Sequence, residues 1–549
     1  MLVLVMCLAC FAGCFGNGGE NPGGGENPGG GETPGTGGTK PGIGSGEADW
    51  SDWWSAITYE QTSLKFKMTH CSQDQELSSG CERFLAGTSI DAQDIDKLVD
   101  ERNTAAYKNT NVTVTYDYFA DNSTLYGFAK CYDVIYQEWY QGSSEAPDMY
   151  CNFMSDLLVA SLKGCFANLY SVQNGANYFE LSNPGYMADL MSSLTLSADK
   201  IYVVASDYFI DLIRAFFVVP VNVTLFNSIA ETTVSDVNND GVKDINDLFA
   251  TVDNGDWTYD ELMRLCAAVS QSSGATVDFA NDIIGFGLGQ NGLPAAGLVY
   301  TSSVTIIERD LETRTYTYPQ NNEDLYKLTD KIAELIDSKG VVYVTKADAE
   351  KVQQNTPLLG IREKFVKNEM LFGGIILVGS IEYPEYQAMK QDGGFGLVPV
   401  PVYKDGDNYL TQIHVVGRAG AISSKSTKFS QCSAFLQYQS SYSTDILNEY
   451  YNYNLTQAAT SASDTSLDGN VDMLKYIRSN VRTSFDKLFE DAIGFLYLSV
   501  DSDSAANRYH TIIQAEGYNV DMRTRYSQLV GNKQDCLREL VALYNQLPA

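Results

Sequence analysis

The sequence predicts an α/β protein folded as two lobes, with the chain crossing between them more than once. Three observations carry this prediction. Strands of alternating polarity are interleaved with helical runs early in the chain. Strand-like apolar runs then return twice, near 200–226 and again across 371–403. The 549-residue chain is also 44% hydrophobic and 12% aromatic, more than one compact core can hold, so it should divide into domains.

Leu64-Lys65-Phe66-Lys67-Met68 alternates apolar with basic residues, the period-two pattern of a half-buried strand. A helical run covers 95–107, and Val112 to Tyr118 alternates again. Residues 124–140 read as helix and 147–152 as a third short strand. Strand, helix, strand, helix, strand implies a parallel sheet, and such sheets take ligands at the carboxyl ends of their strands. Two strand-like runs follow at 201–206 and 216–226. The pattern then turns helical over 258–269 and 324–336, the second placing Leu325, Leu328, Ile332 and Leu335 on one face. Trp257 is expected to pack at the start of the first, with Thr258 or Asp256 as its cap. A late apolar strand at 371–380 leads into 395–403. The C-terminal quarter is mostly helical, with Leu474, Ile477, Val481, Phe485 and Leu488 spaced as one buried stripe.

Ahead of this body lies an address. The first thirteen residues are almost wholly apolar and stop at Cys14. That run is shorter than the roughly 20 residues a membrane-spanning helix needs and fits the apolar core of a secretory signal. Phe11-Ala12-Gly13-Cys14 resembles the bacterial lipobox, whose cysteine is lipidated, although no Lys or Arg precedes Lys40. An ordinary signal peptide cleaved nearby is the alternative. Residues 15–48 repeat GGGENP-like units and contain too little apolar surface to repay ordering, which makes them a coil tether. Its r.m.s. reach is roughly 30–35 Å.

The formal charge of −32 argues against nucleic acid or an anionic membrane surface as a partner. Beyond Cys14 no cysteine pair shows CxxC spacing, and only Cys71 and Cys81 are near enough in sequence to suggest a local disulfide loop.

The sharpest chemical pattern is DVNNDGVKDIND at 236–247. An EF-hand-type loop draws oxygens from positions 1, 3, 5, 7, 9 and 12 and turns on a glycine at 6. Here those positions are Asp236, Asn238, Asp240, the Val242 carbonyl, Asp244 and Asp247, with Gly241 in the turn. Structural Ca2+ is expected, with an acidic surface turn as the alternative. GLGQNG at 287–292 matches GxGxxG, but no convincing dinucleotide-binding unit surrounds it, so it reads as a glycine-rich turn. With three His and no HExxH or GxSxG, hydrolase chemistry of the serine or zinc type finds little support. The 35 Tyr, clustered for example at 448–455, suit sugar stacking, although most serve a core.

Four segments together resemble the extracellular solute-binding lipoproteins of ABC importers, in particular the sugar-type proteins of Gram-positive bacteria. DERNTAAYKNTNVTVTYDYF (100–119) is similar to the family's Glu-Arg-Asn helix and following strand. DKIYVVASDYF (199–209) with VTLFNSIA (223–230) resembles a ligand-side Asp and a crossing between lobes. NGDWTYDELMRLCAAV (254–269) resembles the family's Gly-x-Trp-Thr-x-Asp helix start. KFVKNEMLFGGIILVGSIEYPEY (364–386) with DGGFGLVPVPVY resembles the return crossing. The chain departs from the family at Asn183-Pro184-Gly185-Tyr186, where many relatives carry Pro-Trp-Trp, and at Ser206, where a Gly is usual. Its last fifty residues match nothing in the family.

The resemblance implies a two-lobed, periplasmic-binding-protein-like fold of type II with an interlobe hinge, and binding without catalysis. The lobes are expected at 49–215 plus 365–415 and at 216–364 plus 416–549, after a leader at 1–14 and a tether at 15–48. Tyr118, Asp148, Asn152, Asp207, Tyr383 and Tyr451 are the candidate solute contacts. The implied partners are an oligosaccharide and a permease, for a monomer lipid-anchored on the outer face of the cell membrane. Two rival readings stand beside it: a surface carbohydrate-binding or adhesion lipoprotein, and a tethered glycosidase, which needs two carboxylates roughly 5–9.5 Å apart across a cleft.

Overall fold

The structure is a computed structural model that describes residues 61–69, 82–87, 94–119, 131–142, 146–171, 177–271, 277–290, 292–391, 394–414, 417–455, 468–482 and 508–548. The leader, Cys14, the tether, Cys71, Cys81, Phe485 and Leu488 lie outside the described residues.

In the first sheet, strands β1 (Thr62–Met68), β2 (Val112–Tyr118) and β3 (Met149–Phe153) are parallel, and β12 (Arg418–Ile422) lies antiparallel to β3. Their order across the sheet is β12-β3-β1-β2. The alternation read in β1 is real: Leu64, Phe66 and Met68 are fully buried, while Ser63, Lys65 and Lys67 face the other way. The Asp94–Thr110 helix joins β1 to β2 and buries Ile95, Val99 and Ala106. It stops at Asn111, whose φ of 53° is the left-handed turn that ends a helix.

In the second sheet, strands β5 (Ile284–Gly289), β8 (Val341–Val344) and β9 (Met370–Phe372) are parallel. Strand β4 (Phe217–Asn222) is antiparallel to β9, β10 (Ile376–Leu377) and β11 (Phe395–Pro399). The order is β10-β4-β9-β5-β8, with β11 added on β4. The Glu323–Asp337 helix covers this sheet with Leu325, Leu328, Ile332 and Leu335, all fully buried as their spacing required. Trp257 is buried at the start of the Tyr259–Val269 helix, its indole N–H on the Pro399 carbonyl at 2.9 Å, and Thr258 is the cap.

Four expectations change. The 201–206 run makes only two isolated bridges, Val204 to Gly420 of β12 and Ser206 to Tyr186. Gly420 is required there because a Cβ would meet the Phe209 ring at 2.3 Å. The 216–226 run is a strand only as far as Asn222, whose side chain accepts from Leu225 N at 2.9 Å and caps the Val223–Thr233 helix. The strand expected at 371–380 is cut by Gly373 and Gly374, the latter at φ +80° with the Gly287 carbonyl oxygen 2.9 Å from where its Cβ would sit. The fourth change concerns the lobes. Strands β9, β10 and β11 all pair in the second sheet, so 365–399 does not belong to the first lobe. Conversely β12 pairs in the first sheet, and the Phe429–Ser441 and Thr444–Leu455 helices pack on the Asp94–Thr110 helix, so 418–455 does not belong to the second.

The chain leaves the first lobe at Phe216 and returns through 411–417. These segments lie side by side: Phe217 N donates to Gln412 O at 3.1 Å and His414 N to Ala215 O at 2.9 Å. Val378 N adds a bond to Phe216 O at 2.9 Å, bringing the 378–382 turn against the same joint. The Asp468–Ser479 helix then packs back on β11, where Asn470 bonds both Phe395 O and Leu397 N. No helix among the described residues is long and apolar enough to cross a membrane.

Candidate functional site: the interlobe joint

Strands β1, β2 and β3 end together at Met68, Tyr118 and Phe153. Arg418, the first residue after the returning segment, pairs with Phe153, which sets this edge of the first sheet at the joint. In the second sheet β9 runs opposite to β4, whose first residue follows the crossing, so the ends of β9, β5 and β8 also point toward the joint. The carboxyl ends of both parallel sets therefore face the crossings.

A buried ionic network occupies the joint. Arg214 meets Asp211 at 2.7 Å and clamps both oxygens of Glu382, at 2.7 and 2.9 Å. Arg418 reaches the other Asp211 oxygen at 3.2 Å, and Tyr450 donates to Glu382 at 2.6 Å. Arg214, Arg418 and Asp211 are at most 3% exposed. Burial works against the Arg214 charge, but Glu382 and Asp211 outweigh it and hold the guanidinium well above its ordinary value. Two cations and two carboxylates balance. They fasten the Ile210–Arg214 helix, β12 and the Thr444–Leu455 helix to the 378–382 turn. A second contact between lobes joins Arg478, on the helix packed against β11, to Asp207 at 2.6 Å and to the Pro184 carbonyl at 2.9 Å.

The six candidate contacts fall in different places. Tyr118 ends β2, half-buried, on the edge facing the joint. Asn152 lies near the end of β3 on the same edge but is fully enclosed; its amide oxygen accepts from Phe153 N at 2.7 Å and its Nδ2 has no protein partner. Beside it in sequence, Ser155 Oγ and both Asp156 carboxyl oxygens are likewise buried without partners, and burial, then Asp133, pushes the Asp156 carboxyl well up. Asp148 precedes β3, at the opposite edge, where it accepts from Lys65 N at 3.0 Å and Ser426 Oγ at 2.7 Å and pairs with Lys428 at 3.2 Å. A carboxylate so placed holds β1 to the 426–428 turn and is remote from the strand ends. Asp207 and Tyr451 come together beside Arg478 but are buried, and the Tyr451 hydroxyl has no partner. Burial pushes the Asp207 carboxyl up to about 6, with Arg478 pulling it back. Tyr383 follows the 378–382 turn, its ring 4.2 Å from the Arg362 guanidinium.

On the second lobe, the ends of β5 and β9 meet in a tightly packed patch that leaves no room for a water molecule. It is lined by Gly287, Gly289, Gly373 and Gly374, with Leu358 and Ile361 among the few side chains. Gly287 and Gly289 of GLGQNG lie in this patch: β5 ends at Gly289 and the Gly292–Tyr300 helix follows. Sequence reasoning missed the joint network. Its one local trace is Asp211 and Arg214, charges a helical turn apart inside the apolar run 208–219.

The 236–247 loop folds with Gly241 at φ 84° in its turn and Gly241 N donating to Asp236 at 3.0 Å. Asp236 Oδ1 is buried without a partner, and Asn238 and Asp240 flank it, an arrangement that fits a cation. Asp247 instead braces the loop's backbone, accepting from Val237 N at 2.6 Å and from Asp244 N at 3.0 Å. The described residues hold no cluster of three His, Cys, Asp or Glu side chains poised for a metal, so an ion here would draw on Asn238 and backbone oxygen. Cys131, Cys165, Cys266 and Cys432 are buried free thiols, and Cys536 is a partly exposed one.

No protein-family model matches the chain, and no curated protein matches it significantly. Solved structures do. The sugar-binding protein MalE from Xanthomonas citri aligns at a TM-score of 0.51 and 10% identity, covering 88% of this chain and all of that one. The GacH receptor of Streptomyces glaucescens aligns at 0.46 and 12%, covering 89% of this chain and 100% of its own. An ABC substrate-binding protein from Listeria monocytogenes, in complex with cycloalternan, aligns at 0.45 and 14%, covering 88% and 100%. The fold is thus the two-lobed, type II arrangement of periplasmic binding proteins.

Proposed function

We propose that this chain captures a small extracellular solute, an oligosaccharide, between its lobes and hands it to the permease of an ABC importer. The observation that carries the reading is the joint itself: two α/β lobes whose parallel strands end facing the crossings, the arrangement in which a hinge closes on a ligand. One feature favours a neutral, hydroxyl-bearing solute. The charged groups of the joint are already paired with one another. The sugar-binding MalE, with its like fold, agrees with this choice.

The rest of the reading follows from the sequence. Cys14 would carry the lipid and residues 15–48 would hold the body off the outer face of the membrane, where a permease waits. The 236–247 loop would bind one structural Ca2+ through Asp236, Asn238, Asp240 and the Val242 carbonyl, with Asp244 and Asp247 shaping its end. The ion would staple the turn between two helices and take no part in solute chemistry.

Thermal-shift screening of residues 49–549 against oligosaccharides, peptides and polyamines tests the proposal. A ligand at about a hundred times its Kd stabilises by about 2.7 kcal/mol, which raises the melting temperature measurably. The expected result is a rise with one class of oligosaccharide and no change in that sugar after long incubation. Cleavage of the sugar would favour the tethered glycosidase, and a rise with polyamines alone would overturn the choice of solute. In the same assay EDTA should lower the melting temperature and Ca2+ restore it; no response to EDTA removes the ion.

A further inference from the structure

The last forty residues do more than finish the second lobe. The Met522–Asn545 helix has 24 residues and is about 36 Å long. Its first half is fixed to the second lobe. Arg523 forms a two-pronged pair with Glu323 at 2.6 and 2.7 Å, and Tyr526 donates to Pro319 O at 2.7 Å. Nearby, strands β6 (Glu308–Asp310) and β7 (Thr315–Thr317) form a hairpin. Gln534 exchanges hydrogen bonds with β7 and its continuation: it accepts from Tyr318 N at 2.7 Å and donates to Tyr316 O at 3.2 Å.

Its far end is fixed to the first lobe. Tyr544, 3% exposed, bonds Thr195 Oγ1 and Lys200 O, both at 2.7 Å. The buried Lys200 ammonium donates to Leu547 O at 2.6 Å, and Tyr202 donates to Pro548 O at 2.8 Å. Segment 195–202 belongs to the first lobe, because Leu169 N bonds Ile201 O and Val204 bridges Gly420 of β12. The hairpin reaches the same segment independently: Arg309 bonds Ser192 O at 3.2 Å, Tyr316 bonds Leu196 O, and Arg314 pairs with Asp199 at 3.2 Å.

These anchors stand away from the crossings. Leu547 packs on Gly164, just past the end of the Met154–Leu162 helix. That helix begins at the strand-end edge and runs back from it for roughly 13 Å. A point about 13 Å from a rotation axis moves about 3 Å in a turn of about 15°, more than a hydrogen bond tolerates.

We propose that the C-terminal helix and hairpin β6–β7 form a clasp that joins the lobes at a further place, apart from the crossings, so that they rotate only about a line through both clasp and crossings. The clasp does not depend on what the cleft holds, so it stands or falls separately from the oligosaccharide reading.

Small-angle scattering of the full chain without ligand, combined with hydrogen exchange, tests it. In the wild type, amides of 535–545 and of 195–202 should be protected together, well beyond the rates of a frayed terminus. Fraying-rate exchange of 535–545 would overturn the proposal without any variant. The triple variant Lys200→Met, Tyr202→Phe, Tyr544→Phe should lose protection in both segments, keep a cooperative melt, and show a larger radius of gyration. Release of the helix with an unchanged radius would overturn the proposal. Should the triple variant fail to fold, Arg309→Ser with Arg314→Ser and Tyr316→Phe releases the hairpin alone; the same pair of readouts then applies, with increased exchange at 192–199 expected and an unchanged radius again overturning it.

Discussion

Asp207 lies 2.6 Å from Arg478 Nε and is only 2% exposed. Burial raises its carboxyl to about 6 and Arg478 opposes that rise. A carboxyl whose native value exceeds its unfolded value of about 3.9 holds its proton more tightly when folded. Its contribution is therefore most favourable in acid and erodes as pH rises from about 4 through about 6. Between pH 7 and pH 5 the native group passes from mostly ionised to mostly protonated, while the unfolded group stays ionised. Integrating the proton uptake gives a gain on the order of 1 kcal/mol on acidification over that window. Asp207→Asn has no carboxyl to titrate and forgoes the gain. Urea unfolding of both proteins at pH 5, 6 and 7 measures the difference. The wild type should gain on the order of 1 kcal/mol relative to the variant between pH 7 and pH 5. Parallel profiles would mean that Asp207 does not titrate in this window. A wild type that loses ground in acid would mean that Arg478 outweighs burial and holds the carboxyl below its ordinary range. Either result refutes the reasoning.

Arg214→Met leaves the buried Asp211 paired with Arg418 and the partly exposed Glu382 without its cation, and removing one partner of a buried pair costs about 3–5 kcal/mol, the low end applying here; a midpoint of urea unfolding unchanged from wild type would show the joint network to be idle. Gly420→Ala drives a methyl into the Phe209 ring and should cost about 1–3 kcal/mol, read in the same titration. Asn222→Ala removes the cap on Leu225 N and bonds to Phe365 O and Asn368, for a loss of about 2 kcal/mol. A loss of only a few tenths there would show that the strand-to-helix switch at Asn222 is set by packing instead.

Much of the fold was legible because local pattern and tertiary demand agree. Strand β2 was bounded at both ends by its alternation, and the Glu323–Asp337 helix announced its buried face. Where the reading failed, a single residue overrode a run of β-branched neighbours. Asn222 turned VTLF into a helix, and Gly373-Gly374 broke an apolar strand into pieces. The division into lobes was misread for a different reason. Apolar strands buried on both faces look alike whichever sheet they join, so β11 and β12 carry no local mark of their partners. The candidate contacts suffered similarly. Tyr118 could be placed by counting along its strand, whereas the burial of Asp207 and the tie of Asp148 to Lys428 depend on segments 270 or more residues away.

Strand β12 completes the first sheet by pairing Arg418 with Phe153, far back along the chain. The ordering entropy of closing so long a loop must be met before the contact rewards it. The first lobe therefore cannot finish folding while the chain is still being made, and a growing polypeptide stays loose until its C-terminal quarter has emerged. For a protein that crosses a membrane unfolded, as the proposed address requires, that delay is an asset: the same interleaving that builds the hinge keeps the body threadable until it is outside.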